Sequence, residues 1–357
     1  MLFGILIFQS ALIAAPLEEA TPESQGLDSE VLQAGVDKIY NGFYGDIDSL
    51  IVLRNGHVVV EKYFNPEYYG REYRYSIRSV TKSVSSALIG IAIGHGKIRG
   101  VETNIMRYFP QYLSVDNPDS RKTQITLHDV LSMSAGYEWD EMIRHYGDPQ
   151  NDYNRMIASD DWIGYTLGRP MRDDPGVRLE YSGGASMLLS AILQRATGQT
   201  AAFFANEYLF KPMGINDFSW LEGQGGITNG ASGLSMRRID MARFGQLFLD
   251  QGQWEDKQLV PAGWVEASTS EQITGDPDSL YSSFAYGYQW WRFRDFDPTI
   301  SKLTTNDVYF AYGDGGQLIL VVPHLELVVV STANLVGGEF VRQFELVRDH
   351  VFDAVID

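Results

Sequence analysis

The chain has 357 residues, of which 44% are hydrophobic and 13% aromatic, and its formal net charge is −18. This length and composition predict a substantial core in one large domain or two closely packed ones. The negative charge argues against a nucleic-acid partner, which needs a basic surface, and it disfavours electrostatic attachment to anionic lipid. Because the chain has no cysteine, thiol catalysis, disulfides and thiolate metal sites are excluded.

Residues 1–15 form an apolar stretch that ends in small residues before a polar segment. The stretch is short for a membrane span and suits the hydrophobic core and cleavage zone of a secretory signal. We therefore expect export, to the periplasm or the medium, and no strong membrane association beyond this segment. No Lys or Arg precedes the apolar run, and Pro16 disfavours cleavage after Ala15. An uncleaved N-terminal anchor and a misplaced start codon are the alternatives.

The first elements of the chain are a helix and a hairpin. Asp28 or Ser29 can cap a helix that extends to about Tyr40. Two β-branched runs, at 49–54 and 57–63, flank an Asn-Gly pair, which is typical of a tight hairpin turn.

A long apolar run at 79–94 predicts a buried helix that ends at a pair of glycines. From about 101 to 221, helix-like patches alternate with loops rich in Gly, Pro and Asp, which indicates a mainly helical insert. A glycine-dense loop follows at 223–233, and Ser235 is a candidate cap for a helix up to about Asp250. The helix-like patches lie at 127–133, 153–167, 185–195 and 202–209.

The last hundred residues again have patterns that predict strands. An aromatic-rich strand is predicted at 284–293, a hairpin at 317–322 and 325–331, and a closing amphipathic helix at 339–355. This order predicts an α+β fold in which an antiparallel sheet, built from both chain ends, is flanked by helices and carries the helical insert. The predicted divisions are a signal and lead-in at 1–20, a sheet domain at 21–100 plus 222–357, and a helical domain at 101–221.

Ser79-Val80-Thr81-Lys82 places a hydroxyl and an amine three residues apart, on one face of the buried helix. A serine hydroxyl needs a base to become a nucleophile, and a lysine can serve as one only if burial lowers its pKa. On spacing alone, a helix cap followed by a solvated lysine is the simpler interpretation. No other lysine has a serine three residues before it, however, and the flanking residues are too apolar for an exposed helix.

Tyr181-Ser182-Gly183 comes just before the helix-like patch at 185–195. A tyrosine at the mouth of a cleft can move protons between a serine, a lysine and a leaving group. The chain has 20 tyrosines, so a half-buried structural tyrosine is the alternative.

Gly313-Asp314-Gly315-Gly316 precedes the strand predicted at 317–322. Glycines at the head of an edge strand allow a substrate to approach the backbone closely. Acyl transfer needs backbone N–H donors aimed at the developing oxyanion, and the N–H groups of Asp314 and Ser79 are the candidate pair. A tight glycine-rich turn without a ligand is the alternative.

Several motifs together resemble one family, over the chain from about Thr21 to the C terminus. They lie, in chain order, at 78–83, 131–141, 181–183, 231–235, 240–245 and 313–317. The chain resembles the serine β-lactamase-related hydrolases, which include class C β-lactamases, D-alanyl-D-alanine peptidases, esterases of that fold and 6-aminohexanoate-dimer hydrolases. This resemblance implies a β-lactamase or penicillin-binding-protein-like fold and hydrolysis without a cofactor.

The resemblance also implies roles for individual residues. Ser79 would be the acylated nucleophile, Lys82 its partner base and Tyr181 the second acid/base, while the N–H groups of Ser79 and Asp314 would form the oxyanion hole. We further expect substrate contacts from Trp139, Asp140, Tyr312, Gly313 and the loop 229–232.

Two departures from the β-lactamase pattern bear on the substrate. β-Lactamases usually present Tyr-x-Asn, and this chain has Gly183 at the asparagine position. They also carry Lys-Thr-Gly, where this chain has Ala311-Tyr312-Gly313, so the lysine that pairs with a substrate carboxylate is missing. The stretches 136–141 and 313–317 look more like the esterase and 6-aminohexanoate-dimer hydrolase branch. The expected substrate is therefore a small-molecule carboxylic ester or amide.

Other enzyme classes fit the sequence less well. No Gly-x-Ser-x-Gly is present, which argues against an α/β-hydrolase. The six histidines lack metal-ligand spacing, so we expect neither a metal nor a cofactor. Two alternatives to the esterase or amidase hypothesis remain: a true β-lactamase or D,D-peptidase, and a non-catalytic binding protein on the same scaffold.

Overall fold

The computed structural model describes residues 17–112, 114, 116–294, 307–336 and 340–356. The apolar stretch at 1–15, interpreted above as a secretory signal, lies outside the described residues. Within the described ranges, no helix has the length and apolar character needed to span a bilayer.

Thirteen strands are described, and eight of them form one antiparallel sheet. The strands are β1 (Ile47–Arg54), β2 (His57–Tyr63), β3 (Tyr75–Ser76), β4 (Phe218–Trp220), β5 (Leu234–Met236), β6 (Gln253–Trp254), β7 (Lys257–Gln258), β8 (Ile273–Thr274), β9 (Phe284–Tyr286), β10 (Trp291–Phe293), β11 (Tyr309–Gly313), β12 (Gln317–Val322) and β13 (Leu327–Ala333). The large sheet has the order β2-β1-β13-β12-β11-β10-β9-β8, with β3-β5-β4 and β6-β7 as small additional sheets. Since β1 pairs with β13, the prediction of an antiparallel sheet built from both chain ends is confirmed.

The turns of the sheet follow local backbone preferences. Asn55 and Gly56 have φ of 51° and 77°, which matches the left-handed turn expected of an Asn-Gly hairpin. A 3-10 turn at Pro323–Leu325 joins β12 to β13, as the second predicted hairpin requires. The aromatic run at 284–293 is not one strand, because it turns back on itself at Gln289 and forms the paired strands β9 and β10.

Eleven α-helices are described. They are α1 (Ser29–Tyr40), α2 (Pro66–Tyr69), α3 (Thr81–Gly94), α4 (Leu127–Leu131), α5 (Asp152–Ala158), α6 (Trp162–Leu167), α7 (Gly183–Thr197), α8 (Ala201–Ala205), α9 (Arg238–Leu249), α10 (Ala262–Thr269) and α11 (Phe340–Leu346). The Asp28 carboxylate accepts hydrogen bonds from the backbone N–H groups of Glu30 and Val31, so it caps α1 as predicted.

Two helix predictions need correction. The patch at 153–167 is two helices, because Asp161 interrupts it and caps α6 by accepting hydrogen bonds from two backbone N–H groups. Ser235 does not cap a helix. It lies in β5, where it pairs with Ser76, and α9 starts only after Arg237, without a side-chain cap.

Both faces of the large sheet are buried, which explains why its central strands are apolar throughout. Leu318 and Leu320 of β12 pack into a cluster with residues of α1 and α11. Ile319 and Val321, which point to the opposite face, join the cluster that contains α3 and α9. Helix α3, with 12 of its 14 residues buried, therefore lies between the sheet and the helices of the 101–221 segment. The predicted domain boundaries themselves stay a prediction.

The close packing of α3 leads to a prediction about stability. A Cβ added at Gly90 would lie 2.3 Å from the Trp264 ring. For Gly90→Ala we expect overpacking of about 1–3 kcal/mol to outweigh the gain of about 1 kcal/mol in helix propensity. Urea unfolding should show a lower free energy of unfolding. Gly263→Ala is the control, because a Cβ there meets nothing within 4 Å, and it should leave stability unchanged or raise it by up to about 1 kcal/mol. A stabilised Gly90→Ala variant would contradict this account of the packing.

Candidate functional site

The centre of the site is a 3-10 turn, Arg78–Val80, that leads directly into α3. Ser79 therefore precedes the α-helix instead of starting it, while Lys82 occupies the first helical turn. Lys82 Nζ lies 3.1 Å from Ser79 Oγ and donates a second hydrogen bond, of 2.9 Å, to the carbonyl of Ala231. The predicted proximity of the Ser79 hydroxyl and the Lys82 amine is thus present in the structure.

The environment of Lys82 favours its neutral form. The side chain is buried, with 2% of its surface exposed. Burial lowers the pKa of Lys82 from 10.5 to about 8, and the negative charge of Glu141 acts in the opposite direction. A substantial fraction of the amine is therefore unprotonated near pH 8.

Tyr181 forms one wall of the same site. The Lys82 amine lies 4.8 Å from the centroid of the Tyr181 ring. Burial raises the pKa of Tyr181 well above 10, and Tyr286 and Glu141 add to this effect, while a hydrogen bond to Ser79 opposes it. The Tyr181 hydroxyl is consequently protonated at neutral pH and can donate a proton.

Strand β11 ends directly against the 3-10 turn that carries Ser79. A Cβ added at Gly313 would lie 2.8 Å from the Ile77 carbonyl and from Arg78 Cβ, and 3.0 Å from the backbone nitrogen of Ser79. Only glycine permits this approach, which places the Asp314 backbone next to that of Ser79. The two predicted oxyanion donors are therefore neighbours at the lining of one cavity.

The residues predicted to contact the substrate do not all line the cavities at Ser79. Tyr312 lines the cavity at Ser79, whereas neither Trp139 nor Asp140 lines the cavities described at this site. Trp139 is buried and donates a hydrogen bond to Glu141. The Asp140 carboxylate accepts a hydrogen bond of 2.6 Å from Arg144. Trp139 and Asp140 thus support the wall behind the site.

Sequence reasoning missed Glu141, which is 2% exposed. Its carboxylate accepts hydrogen bonds from Trp139 Nε1 at 2.7 Å, from the Gly183 N–H at 2.6 Å and from the Tyr146 hydroxyl at 2.8 Å. This set of donors satisfies the oxygens of a buried carboxylate that lines the same polar cavity as Lys82. Glu141 did lie in one of the motifs that carried the family resemblance, but nothing local distinguishes it from 45 other acidic residues.

Glu141 and Tyr153 also explain Gly183, the first departure from the β-lactamase pattern. A Cβ added at Gly183 would lie 2.5 Å from the Tyr153 ring and 3.0 Å from Glu141 Oε2. The space that an asparagine side chain would need is therefore filled by these two residues.

Two cavities meet at the serine. The larger has a volume of about 470 Å³. It is lined by Ser79, Met142, Tyr146, Tyr181, Leu280, Tyr281, Phe284, Trp291, Phe310, Tyr312, Asp314, Gly315, Leu335 and Phe344. The smaller, of about 210 Å³, is polar and is lined by Arg78, Ser79, Lys82, Glu141, Tyr146, Tyr153, Asn154, Ser232 and Asp314. In the described part of the chain, no cluster of His, Asp and Glu could hold a metal ion.

A model of the protein family described as Beta-lactamase matches residues 47–352, most of the chain. The chain belongs to the β-lactamase family. The 6-aminohexanoate-dimer hydrolase of Paenarthrobacter ureafaciens is 25% identical over 308 residues, which are 80% of this chain and 72% of that protein. This member of the β-lactamase family is therefore a hydrolase related to that enzyme.

Solved structures support the same fold for the family member described here. EstCE1, a hydrolase with promiscuous acyltransferase activity, superposes with a TM-score of 0.71 at 14% identity, covering 92% of this chain and 98% of EstCE1. A class C β-lactamase from Rhodobacter sphaeroides superposes with a TM-score of 0.68 at 14% identity, covering 91% and 99% of the two chains. The predicted β-lactamase or penicillin-binding-protein-like fold is confirmed.

The buried lysine leads to a prediction about stability. Between its folded pKa of about 8 and its unfolded value of 10.5, the unfolded chain binds one more proton than the folded one, so wild-type stability rises with pH. Lys82→Met lacks the titrating amine and therefore lacks this contribution to the pH dependence of stability. We expect the difference in unfolding free energy, wild type minus Lys82→Met, to increase by about 2 kcal/mol from pH 7 to pH 10. Urea unfolding of both proteins at the two pH values measures it, and a pH-independent difference would contradict a lowered pKa.

Proposed function

We propose that this β-lactamase-family hydrolase cleaves a carboxylic ester or a small amide through an acyl-enzyme on Ser79. The observation that carries the proposal is the 3.1 Å contact between Ser79 Oγ and the buried Lys82 amine, whose pKa is lowered to about 8. A nearby amine that can be neutral is what a serine hydroxyl requires to become a nucleophile.

In the first half-reaction, neutral Lys82 accepts the proton of Ser79 while Oγ attacks the substrate carbonyl. The N–H groups of Ser79 and Asp314 stabilise the oxyanion of the tetrahedral intermediate. As the intermediate collapses, the Tyr181 hydroxyl protonates the leaving oxygen or nitrogen, and the proton held by Lys82 returns to Tyr181. Water then attacks the acyl-enzyme by the same route, which releases the acid and restores the Ser79 hydroxyl.

The polar groups around the serine favour an ester or amide over a β-lactam. Ala311 occupies the position of the family's carboxylate-binding lysine and is 1% exposed on β11. Gly183 has no side chain for a substrate amide, and its neighbours leave no room for one. A true β-lactamase or D,D-peptidase, and a non-catalytic binding protein, remain the alternatives that experiment must separate.

Ser79→Ala should lower kcat/KM for a p-nitrophenyl ester by about 10³-fold or more, because the variant lacks the hydroxyl that forms the acyl-enzyme. A panel of this ester, the matching anilide and a chromogenic cephalosporin should show cleavage of the ester or the amide and little of the cephalosporin. A fluorophosphonate probe should label wild type at Ser79 and leave Ser79→Ala unlabelled.

Ser83→Ala is the matched control for this experiment. Ser83 is also buried in α3 but donates its hydroxyl to the Gln289 carbonyl, so its loss should spare activity and labelling. Full activity of Ser79→Ala would remove Ser79 as nucleophile. Preferential cleavage of the cephalosporin would favour a β-lactamase. An unlabelled and inactive wild type would favour the binding protein.

The pH dependence of kcat/KM should show a rising limb with a midpoint near pH 8, where Lys82 loses its proton. Because the charge of Glu141 raises the pKa of Lys82, Glu141→Gln should move this midpoint to lower pH. Glutamine can still accept hydrogen bonds from Trp139 and Gly183, so the geometry is retained.

Glu138→Gln is the control for the pH profile, since Glu138 is exposed in the same loop and should leave the midpoint unchanged. A midpoint in Glu141→Gln that stays in place or moves to higher pH would show that Glu141 does not act electrostatically on the base.

A further inference from the structure

The walls of the large cavity at Ser79 are dominated by aromatic rings. Trp291 stacks on Tyr181 with 5.5 Å between ring centroids and an angle of 19° between planes. Phe284 packs against Trp291, and Phe310 packs against both Phe284 and Phe344. These contacts fix the rings to one another, so the cavity is a preformed apolar space.

Cationic side chains are absent from the described lining of this cavity. The two cations next to the serine, Arg78 and Lys82, line the smaller polar cavity instead. Asp314 is the one charged residue among the described lining residues of the large cavity. Burial raises the pKa of Tyr312, and the negative charge of Asp314 adds to this effect. An anionic substrate group in this space would find no ion-pair partner and would be repelled by Asp314.

The rim of the cavity is also apolar. Met142 and Leu280 line the cavity while 45% and 64% of their surfaces are exposed. Their neighbours in the chain extend this surface, since Ile143 is 80% exposed and Val336, next to the lining residue Leu335, is 73% exposed. Apolar side chains clustered at a cavity mouth indicate a surface that a ligand covers.

We propose that the large cavity receives a bulky, uncharged apolar group of the substrate, either an aromatic ring or an aliphatic chain of several methylenes. The volume of about 470 Å³ is far larger than a methyl or ethyl group needs and falls in the range of small-molecule sites. The substrate class is thus an ester or amide with a large hydrophobic part beside the scissile bond. This inference rests on the proposed serine hydrolase function.

The test compares kcat/KM within two series of esters. In the first, the alcohol is ethanol and the acyl chain grows from acetate to heptanoate. In the second, the acyl group is acetate and the alcohol grows from ethanol to hexanol. In at least one series we expect kcat/KM to rise by about three- to fourfold per methylene until the cavity is filled.

Charge is tested with matched end groups. Ethyl 6-aminohexanoate replaces the terminal methyl of ethyl heptanoate by an ammonium, and monoethyl adipate ends in a carboxylate. The corresponding charged alcohols serve for the acetate series. In the series whose kcat/KM rises with chain length, each charged ester should be cleaved at least about tenfold less efficiently than its neutral partner.

Leu280→Lys places a cation at the rim without disturbing the core, because Leu280 is largely exposed. It should reduce the preference for the neutral ester over the carboxylate ester by about tenfold. Phe203→Lys is the control, since Phe203 is 53% exposed on α8 and lines none of the cavities described at this site. That variant should leave the preference unchanged.

The outcomes separate this inference from the function on which it rests. Flat chain-length series, or preference for a charged end group, would overturn the apolar substrate class while the Ser79-dependent hydrolysis stands. If wild type cleaves no ester of either series and neither the p-nitrophenyl ester nor the matching anilide, the proposed function is wrong and so is the substrate class.

Discussion

The site depends on one constraint, the burial of the Lys82 amine beside the Ser79 hydroxyl. An amine removed from water loses hydration that its charged form needs more than its neutral form. Two hydrogen-bond acceptors, Ser79 Oγ and the Ala231 carbonyl, hold the nitrogen in place. Helix α3 packs against α7, and the loop that carries Ala231 covers its first turn. This packing keeps the Lys82 nitrogen away from water.

Glu141 works against this burial effect, and the balance between the two is what places the lysine pKa near 8. Three hydrogen-bond donors satisfy the oxygens of this buried carboxylate. One of those donors is the Gly183 N–H, so the same carboxylate organises the backbone next to Tyr181. Glu141 thus acts on the Lys82 amine through its charge and also positions the backbone next to Tyr181.

The two cavities next to Ser79 differ in the kind of side chain that lines them. The polar cavity holds the cations and Glu141, while the large one is enclosed by interlocked aromatic rings from β9, β10, β11 and α11. Ser79 comes from the 3-10 turn before α3, Lys82 from the first turn of α3, and Tyr181 from the segment just before α7. Ser79 therefore lies at the junction between a polar cavity and an aromatic one.

Much of the fold and the proximity of Ser79 and Lys82 could be predicted from local patterns in the sequence. Asn55-Gly56 encodes its turn through φ preferences, Asp28 encodes its cap, and the apolar run of α3 together with the serine-lysine spacing indicated a buried nucleophile and base. Other features could not be predicted, because they arise between segments far apart in the chain. Ser235 has the chemistry of a cap, yet pairing with Ser76 places it in a strand. Glu141 resembles any acidic loop residue until Trp139, Tyr146 and Gly183 surround it.

Sequence alone determined which residue types could react. Tertiary structure decided the lowered pKa of the lysine and the shape of the apolar cavity, because burial and close packing depend on neighbours that local sequence does not specify.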